Sequence, residues 1–327
     1  MTAYSRKQTT VNPAKIAKNK GNRIQLAIAD FKDYITKCTK VVRTETMDEY
    51  RKYELYPSSF PYCGLRHGLD AFTNKKLKDE REMDFFGAYY TTVGGTVHEV
   101  VQDWLSKGNK IIGNFRCTKC NNLDELEEYG PCSKCGCENV KYEEIVIKYK
   151  GIIRGRIDGL YIDSSKRVYV IDYKTSGGYG LYLHNSGKEL KFPYLTNKLQ
   201  IQSYCYFVKR MYEKKLLAKG YKGIEGWMLI YMSRDKSFRE YAVVGDSFTD
   251  MDYDEQSMIQ HRSVKHFTLV VDAADAGFKE FPQELVDEKP CSCKEDYLNN
   301  MHDQYNECPF SKICFSPKKL DSFIAKL

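Results

Sequence analysis

Two acidic residues and a lysine lie on neighbouring predicted strands of this sequence. In the apolar run 168–174, the alternation of a β-strand places Asp172 and Lys174 on one face. The preceding run contains Asp158, and a hairpin between the two runs would bring Asp158 alongside Asp172. Hard divalent cations prefer such oxygen ligands, and a nearby lysine stabilises developing negative charge. The pattern predicts a Mg²⁺ or Mn²⁺ site on Asp158 and Asp172, with Lys174 orienting an attacking water or stabilising charge.

A plainer interpretation of these residues is structural. Asp172 and Lys174 could form an exposed cross-strand ion pair, with Asp158 as a turn residue, and Asp-X-Lys occurs by chance in many chains. An apolar strand that runs directly into Asp-Tyr-Lys, and a Gly-Arg-Ile-Asp-Gly segment before it, favour the catalytic interpretation.

Four successive motifs resemble the RecB-like branch of the PD-(D/E)XK nucleases over residues 55–320. They are Thr96-Val97-His98-Glu99, Gly155-Arg156-Ile157-Asp158, Ile171-Asp172-Tyr173-Lys174-Thr175 and Leu199-Gln200-Ile201-Gln202-Ser203-Tyr204. The resemblance implies a restriction-endonuclease-like fold, an α/β (α+β) architecture with a mixed sheet flanked by helices. It also implies that His98 is a third metal ligand and that Gln200 and Tyr204 position the DNA strand and Lys174. Without the resemblance, His98 is an ordinary helix residue bonded to a backbone acceptor, and Gln200 and Tyr204 are helix surface sharing one face.

Two Cys-X-X-Cys pairs indicate a second metal site. Their spacing is typical of a zinc ribbon in which each knuckle directs two thiolates at one tetrahedral Zn²⁺. Gly136 permits the tight turn after the second pair, and Cys137 is a spare or alternate ligand. The segment either contacts DNA or a partner protein, or merely closes a long excursion of the chain. The four predicted ligands are Cys117, Cys120, Cys132 and Cys135.

A second cysteine set resembles that of RecB-like nucleases carrying a four-cysteine iron–sulfur cluster. In those relatives one cysteine precedes the nuclease motifs and three follow, ending in a C-x5-C pair. The chain departs from that pattern at Tyr305, where a cysteine would be expected, so Zn²⁺ or unligated thiols remain alternatives. Four of the following five would hold a [4Fe-4S] cluster: Cys63, Cys291, Cys293, Cys308 and Cys314. Cys38 and Cys205 lie in apolar helical contexts and are expected to be buried.

The elements that must position these residues follow from hydrophobic periodicity. Helices are predicted near 24–40 and 47–55, and from 197 to 219. Another is expected to start after Gly94-Gly95 and to end near Gly108, with a buried face formed by Val97, Val100, Val101, Trp104 and Leu105. A three-strand meander is predicted over 143–147, 152–162 and 167–174, then a Gly/Tyr loop at 176–187 and strands at 227–232 and 240–244. The tyrosines of that loop are candidates for stacking on bases or for local packing.

The length of 327 residues suits one elaborated domain. We predict a basic arm at 1–23, which either contacts phosphates or stays solvated, and a helical part at 24–112. A zinc-ribbon insertion at 113–142, a nuclease core at 143–250 and a helical C-terminal region with the second cysteine set at 251–327 follow. The net charge of +7 indicates a polyanionic partner without requiring one.

These patterns predict a metal-dependent DNA nuclease, specifically an exonuclease acting on single strands or DNA ends in recombination, repair or phage replication. A helicase or recombination protein is an expected partner, because no helicase motif appears. No export signal or membrane span is recognisable, so we expect the cytoplasm of a bacterial or phage-infected cell. The alternative is a catalytically silent DNA-binding or scaffold subunit recruited through its zinc ribbon.

Overall fold

The computed structural model describes residues 55–57, 69, 85–108, 110–150, 152–188, 192–234, 241–276, 280–287 and 317–325. The chain divides into two compact units, one of residues 1–51 with 81–90 and one of residues 52–80 with 91–327. Of the first unit, only residues 85–90, the start of a helix, are described. The described residues that bear on a functional site belong to the second unit.

A mixed seven-stranded sheet forms the centre of the second unit. Its order is β2-β1-β6-β7-β8-β9, with β3 also paired to β1. The β7–β8 pairing is parallel and the other pairings are antiparallel. A separate antiparallel pair, β4–β5, lies outside this sheet. The strands are β1 (Ile111–Cys117), β2 (Leu123–Glu127), β3 (Val140–Glu143), β4 (Ile145–Tyr149), β5 (Ile153–Ile157), β6 (Gly159–Ile162), β7 (Val168–Ser176), β8 (Ile224–Ser233) and β9 (Tyr241–Ser247).

Helices flank the sheet, which confirms the predicted fold class. They are α1 (Phe85–Lys107), α2 (Gly178–Asn185), α3 (Leu195–Ala218), α4 (Asp250–Asp275), α5 (Gln283–Asp287) and α6 (Pro317–Ile324). The parallel β7–β8 pair needs a long crossover, and α2 with α3 provides it. Among these helices none combines the length and the apolar character needed to span a membrane.

The two faces of β7 contribute to different parts of the core. Val168 and Val170 pack in the large cluster that includes apolar residues of α3. Ile171 and Tyr173 pack in a smaller cluster with Val101 of α1. Because side chains alternate along a strand, Asp172 and Lys174 share the α3 face of β7. The alternation predicted from the sequence is therefore confirmed, and β7 places its charged residues under α3.

Helix α1 differs from its prediction in both its start and its buried face. It begins at least nine residues before Gly94-Gly95, which lie in its interior. A Cβ at Gly94 would lie 3.4 Å from Thr175 Oγ1, an ordinary van der Waals distance, so α1 lies close to β7 at this point. Val100 and Trp104 were predicted to be buried but are exposed, at 41% and 68%. Val101 and Leu105 do pack against the sheet as predicted, partly buried, and the same face also carries the buried polar residues Gln102 and Ser106.

Two further predictions about secondary structure are wrong. The single strand expected over 152–162 is broken at Asp158, and within the described residues β4 pairs with β5 alone, so the predicted three-strand meander is not found there. The Gly/Tyr segment expected to be a loop contains the helix α2. By contrast, the hairpin joining β6 to β7, the long helix α3 and strands β8 and β9 are confirmed, with ends shifted by a few residues.

Several predictions lie outside the described residues. These are the basic arm 1–23, the helix at 24–40, most of that at 47–55, and Cys38. The proposed iron–sulfur ligands Cys63, Cys291, Cys293, Cys308 and Cys314 also lie outside. The cluster, and the domain boundaries drawn from the sequence, stay predictions.

Candidate active site

Asp158 occupies the break between β5 and β6, directly beside β7. Gly159 pairs with Ile171 in the β6–β7 hairpin, so Asp158 lies one step further along, opposite Asp172. The backbone N–H of Tyr173 donates to Asp158 Oδ2 at 2.6 Å. On the other side, His98 Nδ1 of α1 lies 3.8 Å from the same oxygen. Asp158 is only 6% exposed, so this carboxylate is held between β7 and α1.

Asp172 and Lys174 begin a chain of polar contacts that runs to α3. Lys174 Nζ lies 2.8 Å from Asp172 Oδ2 and donates to Gln200 Oε1 at 3.1 Å. Gln200 Nε2 in turn donates to the Tyr204 hydroxyl at 3.2 Å, one helical turn away. The ammonium group is therefore fixed by a carboxylate on its own strand and an amide on the neighbouring helix. The structure thus brings together all six residues that the sequence proposed for this site: His98, Asp158, Asp172, Lys174, Gln200 and Tyr204.

Burial governs the protonation of the site. Removal from water, reinforced by the nearby Asp172 charge, raises the pKa of Asp158 well above its usual range. Burial also lowers the pKa of His98, and the Lys174 charge acts in the same direction while Asp172 opposes both. An imidazole with a lowered pKa is neutral at pH 7 and has a free ring nitrogen for a metal. Two crowded carboxylates and a neutral histidine are stabilised by a cation.

The donor set fits a hard divalent cation. Asp172 is 4% exposed, and its Oδ2, although 2.8 Å from Lys174 Nζ, accepts no well-directed hydrogen bond from the described residues. A buried carboxylate oxygen of this kind retains lone pairs for a metal. His98, Asp158 and Asp172 would be the ligands, and carboxylate oxygens with one imidazole suit Mg²⁺ or Mn²⁺. When both carboxylates are ionised they carry two negative charges, and Lys174 supplies only one positive charge.

A third acidic residue borders the site and was missed from the sequence. Glu144 lies one step beyond the Ile145–Ile157 pair of β4 and β5, and so opposite Asp158. Its carboxylate raises the pKa of Asp158 further, and burial raises its own. Arg156 Nη1 lies 4.0 Å from Glu144 Oε2. The sequence held the signal for this residue, because a hairpin drawn between 143–147 and Asp158 would have paired the two.

Two side chains that support the backbone of Asp158 were also missed. The Tyr142 hydroxyl donates to the Asp158 carbonyl oxygen at 2.6 Å, and Gln102 Nε2 donates to it at 3.2 Å. These bonds replace the ladder bond that a continuous strand would have made. At this break the chain passes from the β4–β5 pair into the central sheet, and the two bonds satisfy the carbonyl at that point.

The four cysteines of the two knuckles converge at one point. Their sulfur atoms all lie within 4.8 Å of one another, with 3.6 Å between Cys117 and Cys135 and 3.6 Å between Cys120 and Cys132. A tetrahedral Zn²⁺ with Zn–S bonds of about 2.3 Å separates its sulfurs by about 3.8 Å. The arrangement can therefore hold zinc or another thiophilic metal. Cys137, the spare ligand considered from the sequence, instead directs its thiol towards the Asn139 carbonyl at 3.9 Å.

Local backbone geometry prepares this cysteine site. The backbone N–H of Cys120 donates to Cys117 Sγ and, with a second bond from Lys119, lowers the pKa of the Cys117 thiol to about 6. Gly136 adopts φ +69°, the left-handed conformation that the predicted tight turn requires. The first feature favours a thiolate at Cys117, and the second gives the compact turn that follows Cys135.

The hairpin that carries the knuckles is attached to the end of α3. Lys219 bonds to Glu127 of β2, Lys215 Nζ lies 3.8 Å from Glu125 Oε2, and the Tyr221 hydroxyl donates to Glu128 Oε1 at 2.6 Å. Cys205, in the middle of α3, is completely buried, as predicted for a small apolar side chain.

Comparison with known proteins gives distant likenesses only. No protein-family model matches the chain, and no curated protein sequence matches it. A phage-related exonuclease from Haemophilus somnus 129PT is 10% identical, with a TM-score of 0.40 over 70% of this chain and 99% of that chain. An alkaline exonuclease from Laribacter hongkongensis is 9% identical, with a TM-score of 0.38 over 71% of this chain and 96% of that chain.

Proposed function

We propose that the protein is a metal-dependent nuclease that hydrolyses phosphodiester bonds of DNA. The observation that carries this proposal is the pair of buried carboxylates, Asp158 and Asp172, at opposite register positions at the start of the β6–β7 hairpin, with Lys174 beside Asp172. A purely structural ion pair needs one carboxylate for one ammonium group. Here a second buried carboxylate and a histidine join the pair, and burying them has a free-energy cost that a bound cation offsets.

The residues divide the chemistry between them. Asp158, Asp172 and His98 would hold Mg²⁺ or Mn²⁺, which when bound lowers the pKa of water and neutralises charge on the scissile phosphate. Lys174 provides a compact positive charge for the developing negative charge and an N–H donor that can orient the attacking water. Gln200 fixes the position of that ammonium group, and Tyr204 fixes Gln200. The Tyr204 hydroxyl remains protonated, because burial raises its pKa above the usual range.

The substrate proposed for this site is single-stranded DNA or a DNA end, in recombination, repair or phage replication. The net charge of +7 favours a polyanion. Tyr179 and Tyr182 of α2, which follows β7 directly, are exposed at 59% and 38% and stack on each other. Aromatic faces near a cutting site suit unpaired bases, since every base has a π-face. The four-cysteine site is proposed to hold Zn²⁺.

The proposal is tested by cutting assays on the full-length protein. Labelled single- and double-stranded DNA is incubated with Mg²⁺ or Mn²⁺ and the wild type, Asp172→Asn or Lys174→Ala. We expect each substitution to lower the rate by at least about 10²-fold, the usual effect of removing one group that stabilises transition-state charge. Asp163→Asn is the matched control, because Asp163 lies in the turn of the same β6–β7 hairpin and asparagine can make the same turn bonds.

The outcomes separate the proposed activity from its alternative. An inert wild type that still binds DNA would leave the silent scaffold function in its place, and equal cutting by both variants would identify a contaminating nuclease. Circular DNA compared with linear DNA of the same sequence tests the exonuclease proposal, because an exonuclease needs a free end.

A further inference from the structure

The described part of the cysteine ribbon reaches the candidate active site through two side chains, and one of them, Tyr142, contacts Asp158 directly. Tyr142, in β3, donates its hydroxyl to the Asp158 carbonyl at 2.6 Å. Burial raises the pKa of Tyr142, so the hydroxyl keeps its proton. The second donor to that carbonyl, Gln102, belongs to α1, the helix that also carries His98. Asp158 is therefore held at its carbonyl by two separate elements, of which only β3 belongs to the ribbon.

The position of Tyr142 depends on the strand that carries the first knuckle. Strand β3 pairs with β1 in a register that joins Tyr142 to Phe115 and Val140 to Cys117. The Tyr142 ring packs edge-on against Phe115, with 5.5 Å between ring centroids. A Cβ at Gly113 would lie only 2.1 Å from the same ring, so the ring fills the space over that glycine. Moving the end of β3 that pairs with Cys117 would therefore move the Tyr142 hydroxyl away from the Asp158 carbonyl.

Asn114 makes a second connection between the ribbon and the carboxylate site. Asn114 of β1 donates its side-chain amide to the Glu144 carbonyl at 3.2 Å, and its side-chain oxygen accepts the backbone N–H of Leu126 at 3.2 Å. The amide thus joins strand β2 of the ribbon to the residue opposite Asp158. Two hydrogen-bonded side chains, from adjacent strands, connect the cysteine hairpin to the carboxylate site.

We propose that Tyr142 is a positioning residue through which the four-cysteine metal centre sets the geometry of Asp158, and with it the cation affinity of the active site. The proposal rests on the proposed function for the identity of that site. The ribbon metal fixes the ends of β1 and β3, this pairing fixes Tyr142, and the Tyr142 hydroxyl fixes the backbone that presents the Asp158 carboxylate. Partners of this kind that orient a ligand change metal affinity without contacting the metal.

The test measures Mn²⁺ binding rather than cutting. Zinc-loaded, full-length protein is titrated with Mn²⁺ and free Mn²⁺ is followed by electron paramagnetic resonance. Tyr142→Phe keeps the ring against Phe115 and removes only the hydroxyl. We expect it to weaken Mn²⁺ binding about three- to tenfold, the effect of losing one neutral hydrogen bond behind a metal ligand. Its zinc content should equal that of the wild type.

Tyr129→Phe is the matched control. Tyr129 packs edge-on against the same Phe115 ring, with 5.8 Å between centroids, but lies in the turn between β2 and β3. Its substitution removes a hydroxyl from the ribbon without touching the Asp158 carbonyl, and we expect wild-type Mn²⁺ affinity. A general loosening of the ribbon would affect both tyrosine variants, whereas a positioning role affects only Tyr142.

A second variant tests the connection to the cysteine centre. Cys135 is the exposed ligand, so Cys135→Ser disturbs packing least while removing one thiolate. We expect it to lose zinc and to weaken Mn²⁺ binding, and we expect Tyr142→Phe to add less than twofold in that background. Non-additivity is the signature of two groups acting through one contact.

The proposal is overturned if Tyr142→Phe binds Mn²⁺ within twofold of the wild type, or if the two substitutions weaken binding additively. A wild type that binds Mn²⁺ in this Tyr142-dependent way but leaves DNA intact would remove the nuclease function and keep the positioning role. A wild type that binds no Mn²⁺ at the carboxylate site would reject both.

Discussion

The carboxylate site and the cysteine ribbon are held together in different ways. Asp158 and Asp172 lie under two helices and next to the central strands. Hydrogen bonds from three separate elements fix Asp158, and Lys174 lies 2.8 Å from Asp172. The ribbon strands β2 and β3 have one buried residue between them, Leu126, and Cys135 is exposed. The core thus builds the first site before any cation arrives. Because so few residues of β2 and β3 are buried, we expect the second site to need a bound metal in order to fold.

Removing a ribbon ligand should have the largest structural effect. We expect Cys135→Ser to lose its bound zinc and to lose most of the amide exchange protection of residues 117–143, because structural zinc binding contributes folding free energy. The amides of β7 and β8 should stay protected, since these strands belong to the core. Metal analysis and hydrogen–deuterium exchange measure the two effects.

Either of two outcomes would contradict this difference between the ribbon and the core. Loss of protection across β7 and β8 would mean that the ribbon supports the whole sheet. Unchanged protection of the zinc-free ribbon would mean that it folds by packing alone.

The pH dependence of stability should distinguish the carboxylate site. The pKa of Asp158 is raised above its ordinary value of 3.8, with burial as the main cause and Asp172 and Glu144 adding to it, while Lys174 and the Tyr173 N–H oppose it. A carboxyl group with a raised folded-state pKa stabilises the fold when protonated, and that contribution is lost as pH rises through the folded-state pKa. We therefore expect the Tm of the metal-free wild type to fall relative to Asp158→Asn as pH rises above 3.8.

Saturating Mn²⁺ provides the internal control for the pH experiment. The cation binds the ionised carboxylates, so it should raise the Tm of the wild type most at high pH and leave Asp158→Asn nearly unchanged. Parallel melting curves of the two proteins at every pH would contradict the argument from burial.

The smallest effect on stability is expected at a solvent-exposed ion pair between the ribbon and the end of α3. Lys219 of the α3 end pairs with Glu127 of the ribbon, and Glu127 is half exposed. Lys219→Ala should lower the free energy of unfolding by less than about 1 kcal/mol, as for other solvent-exposed pairs. Chemical denaturation measures this change. A larger loss would show that the attachment to α3, rather than the metal, holds the ribbon in place.

The candidate site residues were easier to predict from the sequence than the helices and strands around them. The period of two along β7 was enough to place Asp172 and Lys174 together, and the spacing of Gln200 and Tyr204 gave their contact on α3. The knuckle spacing likewise gave the convergence of the four thiols. Each of these predictions depends on local spacing along the chain, so a single sequence is enough to make it.

The predictions that failed depended on contacts between distant segments. At Asp158 the chain leaves the β4–β5 pair for the central sheet, and Tyr142 and Gln102, which bond its carbonyl there, belong to neither β5 nor β6. On α1 the apolar pattern pointed to Val100 and Trp104, but the sheet-facing side serves a polar site and carries His98 and Gln102. Hydrophobic periodicity identifies the apolar face of a helix, whereas the face of α1 that borders the candidate site is partly polar.

Gly113 limits how this protein can be redesigned. The Tyr142 ring occupies the space where a Cβ at residue 113 would lie. Even alanine there would push the aromatic ring out and separate it from the aspartate behind it. An engineer who grafts this ribbon onto another scaffold must therefore transfer the glycine and the tyrosine together, and a random library should tolerate a larger residue at 113 only when residue 142 becomes smaller.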